Sequence, residues 1–425
     1  MRAALWLLSL FGIAVAVALF AGNNQGTITV FWPPYRLDLS LNLVLLLLAL
    51  LFVTLHLALR ALAALFAMPA QARRWRLQHQ ERAVYAALLN AQSHLVAGRF
   101  IRARKAAEMV LAREDTMARG GQTLAYSGRL RAMAHLLAAE SAQALQDRPA
   151  RGQHLQLALE QAARRDAQEM REGVQLRAAR WAIEDQDAQA ALQGLDELPQ
   201  GAARRTIALR LRLAAARMAR QTHLALDTAR LLAKHRAFSE LAAQGIVRGL
   251  ALELLQAAHD TDQLRQAWGQ LDPAEQQLPE VAIEAARRLL QLGGDAAQAR
   301  QWLLPIWDGL VARTPTVSTA QGLQLIDVLE RSFVQPTPAP DAPWLTRIEQ
   351  AQMSNPGDAA LQYLAGMTCL RLQLWGKAQQ LLKQSVPRLT DDALRRRAWR
   401  ALAELAEQRA DAAAASQAWR EAAKL

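Results

Sequence analysis

Hydrophobic and polar residues alternate with two different rhythms along this chain. From Ala3 to Gly22, and again from Leu39 to Leu59, the sequence is apolar almost without interruption, and neither run contains a charged residue. About 20 apolar residues in a helix cross a bilayer core of roughly 30 Å. In hydrocarbon every backbone N–H and C=O must be paired within the segment, so each run predicts a membrane-spanning helix. Between them VFWPPYRLDL, residues 30–39, places Phe31, Trp32 and Tyr35 around Pro33 and Pro34. Aromatic rings favour the membrane interface, and the prolines stop either helix from running through. The pattern predicts a transmembrane hairpin over residues 1–67, with spans at about 3–22 and 39–59 and an outer turn at 23–38. A cleaved secretory signal over residues 1–22 is the rival reading. The second apolar run, following so soon, favours two uncleaved spans.

From Glu81 onward the rhythm changes. Apolar positions recur at helical spacing in segments of roughly 12–20 residues. Short breaks separate them at 97–99, 146–149, 184–187 and 292–295. No convincing period of two appears in this part of the chain, so the predicted fold class is all-α: a transmembrane hairpin followed by an α-solenoid of stacked helix pairs. A basic linker is expected over 68–82, a helical array over 83–333, a Pro-rich linker at 334–343 (VQPTPAPDAP) and terminal repeats over 344–425.

The repeats are clearest at the ends. Trp399, Leu402, Ala403, Ala406, Ala415, Trp419 and Ala422 follow the order of a tetratricopeptide (TPR) repeat. Small residues at 403 and 415 permit close approach of two antiparallel helices, and the tryptophans are expected to fill gaps between pairs. Leu361, Leu364, Ala365, Trp375, Ala378 and Leu382 repeat the pattern, as do Ala91, Gly98, Phe100, Ala103 and Ala107 near the start. In the middle, Ala178 and Ala190 stand twelve apart.

Charge sets the orientation. The segment Asn23–Asp38 holds one basic residue, Arg36, whereas Arg60, Arg73, Arg74 and Arg76 follow the second run with no acid before Glu81. The bias of Lys and Arg towards the cytoplasm predicts a two-pass protein of a bacterial inner membrane with residues 68–425 inside. The net charge of +12 comes from 50 Lys and Arg against 38 Asp and Glu. The cations are dispersed, without the aromatic-interleaved stripe that single-stranded nucleic acid needs, so nucleic acid is not the expected partner. Attraction to anionic lipid headgroups is. A single cysteine, Cys369, excludes an internal disulfide and a cysteine-based metal cluster.

The chain carries no G-x-G-x-x-G, P-loop or H-E-x-x-H sequence, and no two of its eight histidines are four residues apart. Catalytic residues and a metal site are therefore not predicted, and the expectation is a non-enzyme. Cys369 has no visible base in sequence. Trp268, Trp302, Trp307, Trp375 and Trp399 are expected in the core. The one candidate ligand site is Arg397 with Arg400, a turn apart in RRRAW. Two guanidinium forks suit bidentate pairing with carboxylates. The plain alternative is a solvated face with Glu404 and Glu407 as intrahelical partners.

A short basic start, two apolar runs with a small outer turn, a basic exit, AALLNAQSHLVAGRFIRARKAAEMVL at 86–111 and an Ala- and Arg-rich helical array together resemble the HemY family of proteobacterial inner-membrane TPR proteins. The resemblance spans the order of the whole chain and is most specific over residues 1–112. It differs from the flavin-dependent protoporphyrinogen oxidase of the same name, whose dinucleotide-binding glycines are absent here. It implies a role in late haem (porphyrin) biosynthesis as a membrane-tethered TPR scaffold or regulator, with enzymes such as ferrochelatase as partners. Two alternatives are a tetrapyrrole carrier, with porphyrin or haem carboxylates held by Arg397 and Arg400, and an envelope-assembly adaptor unrelated to haem. The family supplies no catalytic residue to carry over.

Overall fold

A computed structural model describes residues 2–23, 25–122, 124–314, 317–333 and 342–425. The chain forms two compact units, Met1–Met170 and Arg171–Leu425. Helices make up nearly all of both.

In the first unit a helix Arg2–Asn23 leads into a two-stranded antiparallel sheet, Thr27–Trp32 paired with Tyr35–Ser40. The sheet corrects the expectation of a plain turn. Its register runs from Thr27 opposite Ser40 to Trp32 opposite Tyr35. The β-branched residues Thr27, Ile28, Thr29 and Val30 favour extended backbone. Thr29 Oγ1 donates to Asp38 Oδ1 across the strands at 2.6 Å.

The next helix begins at Leu41, two residues later than expected, because Leu39 and Ser40 belong to the second strand. Ser40 Oγ caps it by accepting from the Leu43 N–H at 3.3 Å. This helix, Leu41–Val96, runs 56 residues without a break, about 84 Å at roughly 1.5 Å per residue. The segment 68–82, expected as a linker, is part of it. Its stretch Leu41–Phe66 is the one helix among the described residues long and apolar enough to cross a membrane. Its apolar side chains are uncovered, with Phe52 69% and Leu46 65% exposed. A core helix of similar composition in a water-soluble protein would be buried.

The far end of the same helix turns into half of a helix pair. Val84, Ala87 and Ala91 pack on Ala107 and Val110 of the helix Phe100–Arg119, and all are buried. Helices Ser127–Ala144 and Arg148–Ala162 continue the unit. The turns between paired helices repeat one device. A residue in the left-handed region stands two places before the next helix in Gly98 (φ 69°), Gln146 (φ 59°), Gln186 (φ 64°), Gln373 (φ 60°) and Ala410 (φ 60°). An aspartate often follows it as the N-cap, as with Asp147, Asp187 and Asp411.

In the second unit one continuous apolar core runs from Leu209 to Ala418. The Pro-rich segment is therefore no boundary between two cores. Its residues 334–341 lie outside the described residues, and a helix already begins at Ala342. The terminal repeats keep their expected burial at Leu361, Leu364, Ala365, Ala378, Leu382, Leu402, Ala403 and Ala415. The middle repeat is shifted by one: Ala179 and Ala191 are buried, whereas Ala178 is half-buried and Ala190 exposed. Trp307 is buried and meets Trp344 edge-on at 5.7 Å, and Trp268 stacks on Trp302 at 4.7 Å. Trp375 and Trp419 are more exposed than expected, at 37% and 39%. Trp419 uses its indole N–H on Glu407 at 2.7 Å instead of filling a gap.

Gly366 shows how tightly these pairs meet. A Cβ there would stand 2.9 Å from Cγ of the buried Leu382 on the neighbouring helix. Gly366→Ala gains about 1 kcal/mol of helix propensity but overpacks a filled contact, at about 1–3 kcal/mol. The expected net result is destabilisation by about 1 kcal/mol, read as a lower urea midpoint at unchanged slope.

Candidate functional site

Arg397 and Arg400 are not brought together. Asp391 Oδ1 caps the helix Asp392–Gln408 by accepting from the Leu394 N–H at 2.8 Å. This sets Arg397 facing the helix Thr319–Ser332, seventy residues earlier. Its Nη2 donates to Asp327 Oδ1 at 2.7 Å and its Nη1 lies 3.1 Å from Glu330 Oε2. Tyr363 adds its hydroxyl to Glu330 Oε2 at 2.7 Å. Burial raises the Glu330 carboxyl above its ordinary range, opposed by Arg397 and the Tyr363 hydrogen bond. Burial would lower the Arg397 guanidinium, but Glu330 and Asp327 outweigh it and the group is held above its ordinary value. Arg397 thus already grips carboxylates, and they are the protein's own. Arg400 points outward, exposed and without an ion pair among the described residues. The intrahelical pairs with Glu404 and Glu407 do not form there.

Cys369 is buried, and burial pushes its thiol up, away from the thiolate a nucleophile needs. The structure also makes a pair of two histidines that sequence spacing separates. His135 and His154 lie on adjacent helices with their Nδ1 atoms 3.1 Å apart. One ring donates to the other only while at least one is neutral. Burial, with His154 and Arg131 nearby, lowers His135 to about 4 despite Asp115. Burial lowers His154 as well. No group of three or more His, Cys, Asp or Glu side chains suited to a metal occurs among the described residues.

What the second unit does offer is a groove of about 750 Å³ between the helices Thr222–Lys234 and Glu240–Gln256 and the short turn Pro273–Gln276. Ala233, Phe238, Ala243, Val247 and Leu278 form an apolar floor, and Arg236, Glu240 and Gln244 stand at the rim. Its wall is braced from behind. Arg230 donates to both oxygens of Glu275, from Nε at 3.0 Å and Nη2 at 2.6 Å, and to the Gln270 carbonyl at 3.0 Å. The Glu275 hydrogen bonds, against some desolvation, raise the Arg230 guanidinium above its ordinary value. Phe238 is steadied by Arg210, whose guanidinium lies 5.7 Å from the ring centre. The groove's lining brings together no nucleophile with a base, and among the described residues no group of three metal-ligating side chains gathers there. It has the shape and chemistry to hold a segment of another chain.

Residues 26–146 match the family model described as HemY protein N-terminus. This part of the chain is similar to the N-terminal region of HemY proteins. The HemY match covers the strand pair, the whole 56-residue helix and the helices Phe100–Arg119 and Ser127–Ala144 of the first unit. No curated protein matches the chain. Among solved structures, the TPR domain of P58(IPK) is 14% identical over 76% of this chain and 98% of that domain, with a TM-score of 0.22. The Naa15/Naa10 complex bound to HypK-THB is 12% identical over 78% of this chain and 57% of its own, with a TM-score of 0.26.

Proposed function

We propose that this chain is a HemY protein and serves as a membrane-tethered, non-catalytic scaffold of helix pairs that gathers enzymes of late haem biosynthesis at a bacterial inner membrane. The carrying observation is the Leu41–Val96 helix, whose first half is bare and apolar and whose second half builds the first helix pair. Anchor and repeat are one element. The HemY match over residues 26–146 supports the link to haem. The Arg-rich exit from the apolar stretch supports a two-pass arrangement with the larger part of the chain in the cytoplasm. A groove with an apolar floor and a mixed polar rim suits protein segments better than chemistry. The reading as a tetrapyrrole carrier is weaker, because Arg397 is occupied by Asp327 and Glu330.

Crosslinking in native membranes, followed by identification of captured proteins, tests this reading. Ferrochelatase or another porphyrin-handling enzyme is expected among them. Capture of envelope-assembly proteins alone, or digestion of the repeats by protease added outside intact spheroplasts, refutes it.

A further inference from the structure

The first unit carries a second groove, smaller and of different character. It measures about 300 Å³ and lies between the long helix and the helix Phe100–Arg119. Ala86, Asn90 and His94 recur at intervals of four and so share one face of the long helix. Arg102, Lys105, Ala106, Met109 and Arg113 share one face of the other at helical spacing. Ala87, Ala106 and Met109 give an apolar floor, and the lining contains three permanent cations and no carboxylate.

Those cations are not spent elsewhere. Arg102 and Lys105 are exposed and form no ion pair among the described residues. Arg113 is steadied by donating from Nη1 to the Ala83 carbonyl at 2.7 Å, which leaves its charge uncompensated. The neighbouring Arg104 behaves differently: it faces away and pairs with Glu108 and Asp147. One face of this helix is neutralised internally and the other is left positive.

We propose that this groove docks an acidic, extended segment of a partner protein, with an apolar side chain of that segment seated on Ala87, Ala106 and Met109. Charge complementarity selects the acidic residues, and the Asn90 amide supplies both a donor and an acceptor for a peptide backbone. A lipid headgroup of the anchoring membrane is disfavoured by distance. Ala86 lies 20 residues beyond Phe66 along the continuous helix, about 30 Å at roughly 1.5 Å per residue. The headgroup layer is only about 5–8 Å deep on each side of the core. The inference rests on the scaffold reading and names the chemistry of one partner segment.

The test uses the purified full chain in neutral detergent and a fluorescein-labelled Glu-Leu-Asp-Glu-Leu-Asp-Glu peptide, followed by fluorescence anisotropy. The acidic peptide is expected to bind at least tenfold tighter than its Gln-Leu-Asn-Gln-Leu-Asn-Gln counterpart, and to weaken with added salt. Arg102→Glu with Lys105→Glu is expected to reduce affinity tenfold or more. The milder Arg102→Gln with Lys105→Gln pair gives a smaller loss in a protein of unchanged circular dichroism, and Arg400→Glu in the second unit has no effect. Equal binding of both peptides, full affinity in the double variants, or complete displacement by phosphatidylglycerol vesicles overturns the proposal. If the peptide fails to bind while porphyrin enzymes are still captured in membranes, only the groove assignment falls. If the peptide binds but no such enzyme is captured, only the haem reading falls.

Discussion

Arg397→Ala is expected to destabilise the second unit by about 2 kcal/mol, since removing the partly exposed guanidinium leaves the buried Glu330 carboxyl without its counter-charge. Glu330 is 8% exposed and Tyr363 completely buried, so water replaces the guanidinium only in part. Arg397→Lys should recover part of the loss, because an ammonium reaches one carboxylate but cannot fork between Asp327 and Glu330. Adding Glu330→Gln to Arg397→Ala should recover more. The amide is neutral, and its oxygen still accepts from the Tyr363 hydroxyl. Urea unfolding of the full chain in detergent, followed by circular dichroism, measures all three. The opposite pattern is as informative: unchanged stability in Arg397→Ala, with a weakened porphyrin absorption shift, would restore Arg397 as a ligand contact.

The second large effect is a loss of stability in the first unit under mild acid. His135 is held at about 4 in the folded protein, against about 6.5 in an unfolded chain. Its folded value is depressed, so the unfolded chain binds the proton more readily. The contribution to stability is complete above pH 6.5 and falls away as pH drops towards 4. Linkage gives a loss of about 2 kcal/mol between pH 7 and pH 5 for this ring. Around the pair, Arg131 and Asp115 act on His135, and Glu108, Arg104 and Asp147 act on His154. Melting temperature followed from pH 7 to pH 5 should fall in the parent protein and fall less steeply in His135→Leu, where the half-buried His154 still resists protonation. An equal slope in the two proteins would show that the rings do not control it.

Both effects depend on partners that sequence reasoning missed, for a common reason. Arg397 and Asp327 are seventy residues apart, and His135 and His154 sit on consecutive helices at no recognisable spacing. Helical periodicity reports which face of a helix is apolar, not which residue of another helix it meets. Where local chemistry decides the structure, the sequence was readable. The breaks at 97–99 and 292–295 carry Gly98 and Gly293 at φ 69° and 73°, a conformation that glycine adopts without a Cβ penalty. Gln146 and Gln186 occupy the same region without that signal, although the aspartates that follow mark the coming helix.

The middle repeat was misplaced by one residue because alanine makes up about a fifth of the chain. Ala178 and Ala179, or Ala190 and Ala191, offer the same side chain to any spacing rule. The segment 68–82 looked like a linker for the converse reason. A helix with no neighbour has no apolar stripe to display. Trp75 there is 65% exposed, and among the described residues His79, one turn on, stacks against it at 5.4 Å.

That unaccompanied stretch of helix is also a ruler. Each residue added to it would lift the basic groove by about 1.5 Å and swing its compass bearing by roughly 100°. Seven additional residues would bring it nearly back to its first heading, about 10 Å higher, whereas two would turn it towards the opposite horizon. Under the proposed anchoring, natural insertions and deletions there should come in near-multiples of a heptad, and a partner docked in the proposed groove would have to present its matching patch at one altitude above the bilayer.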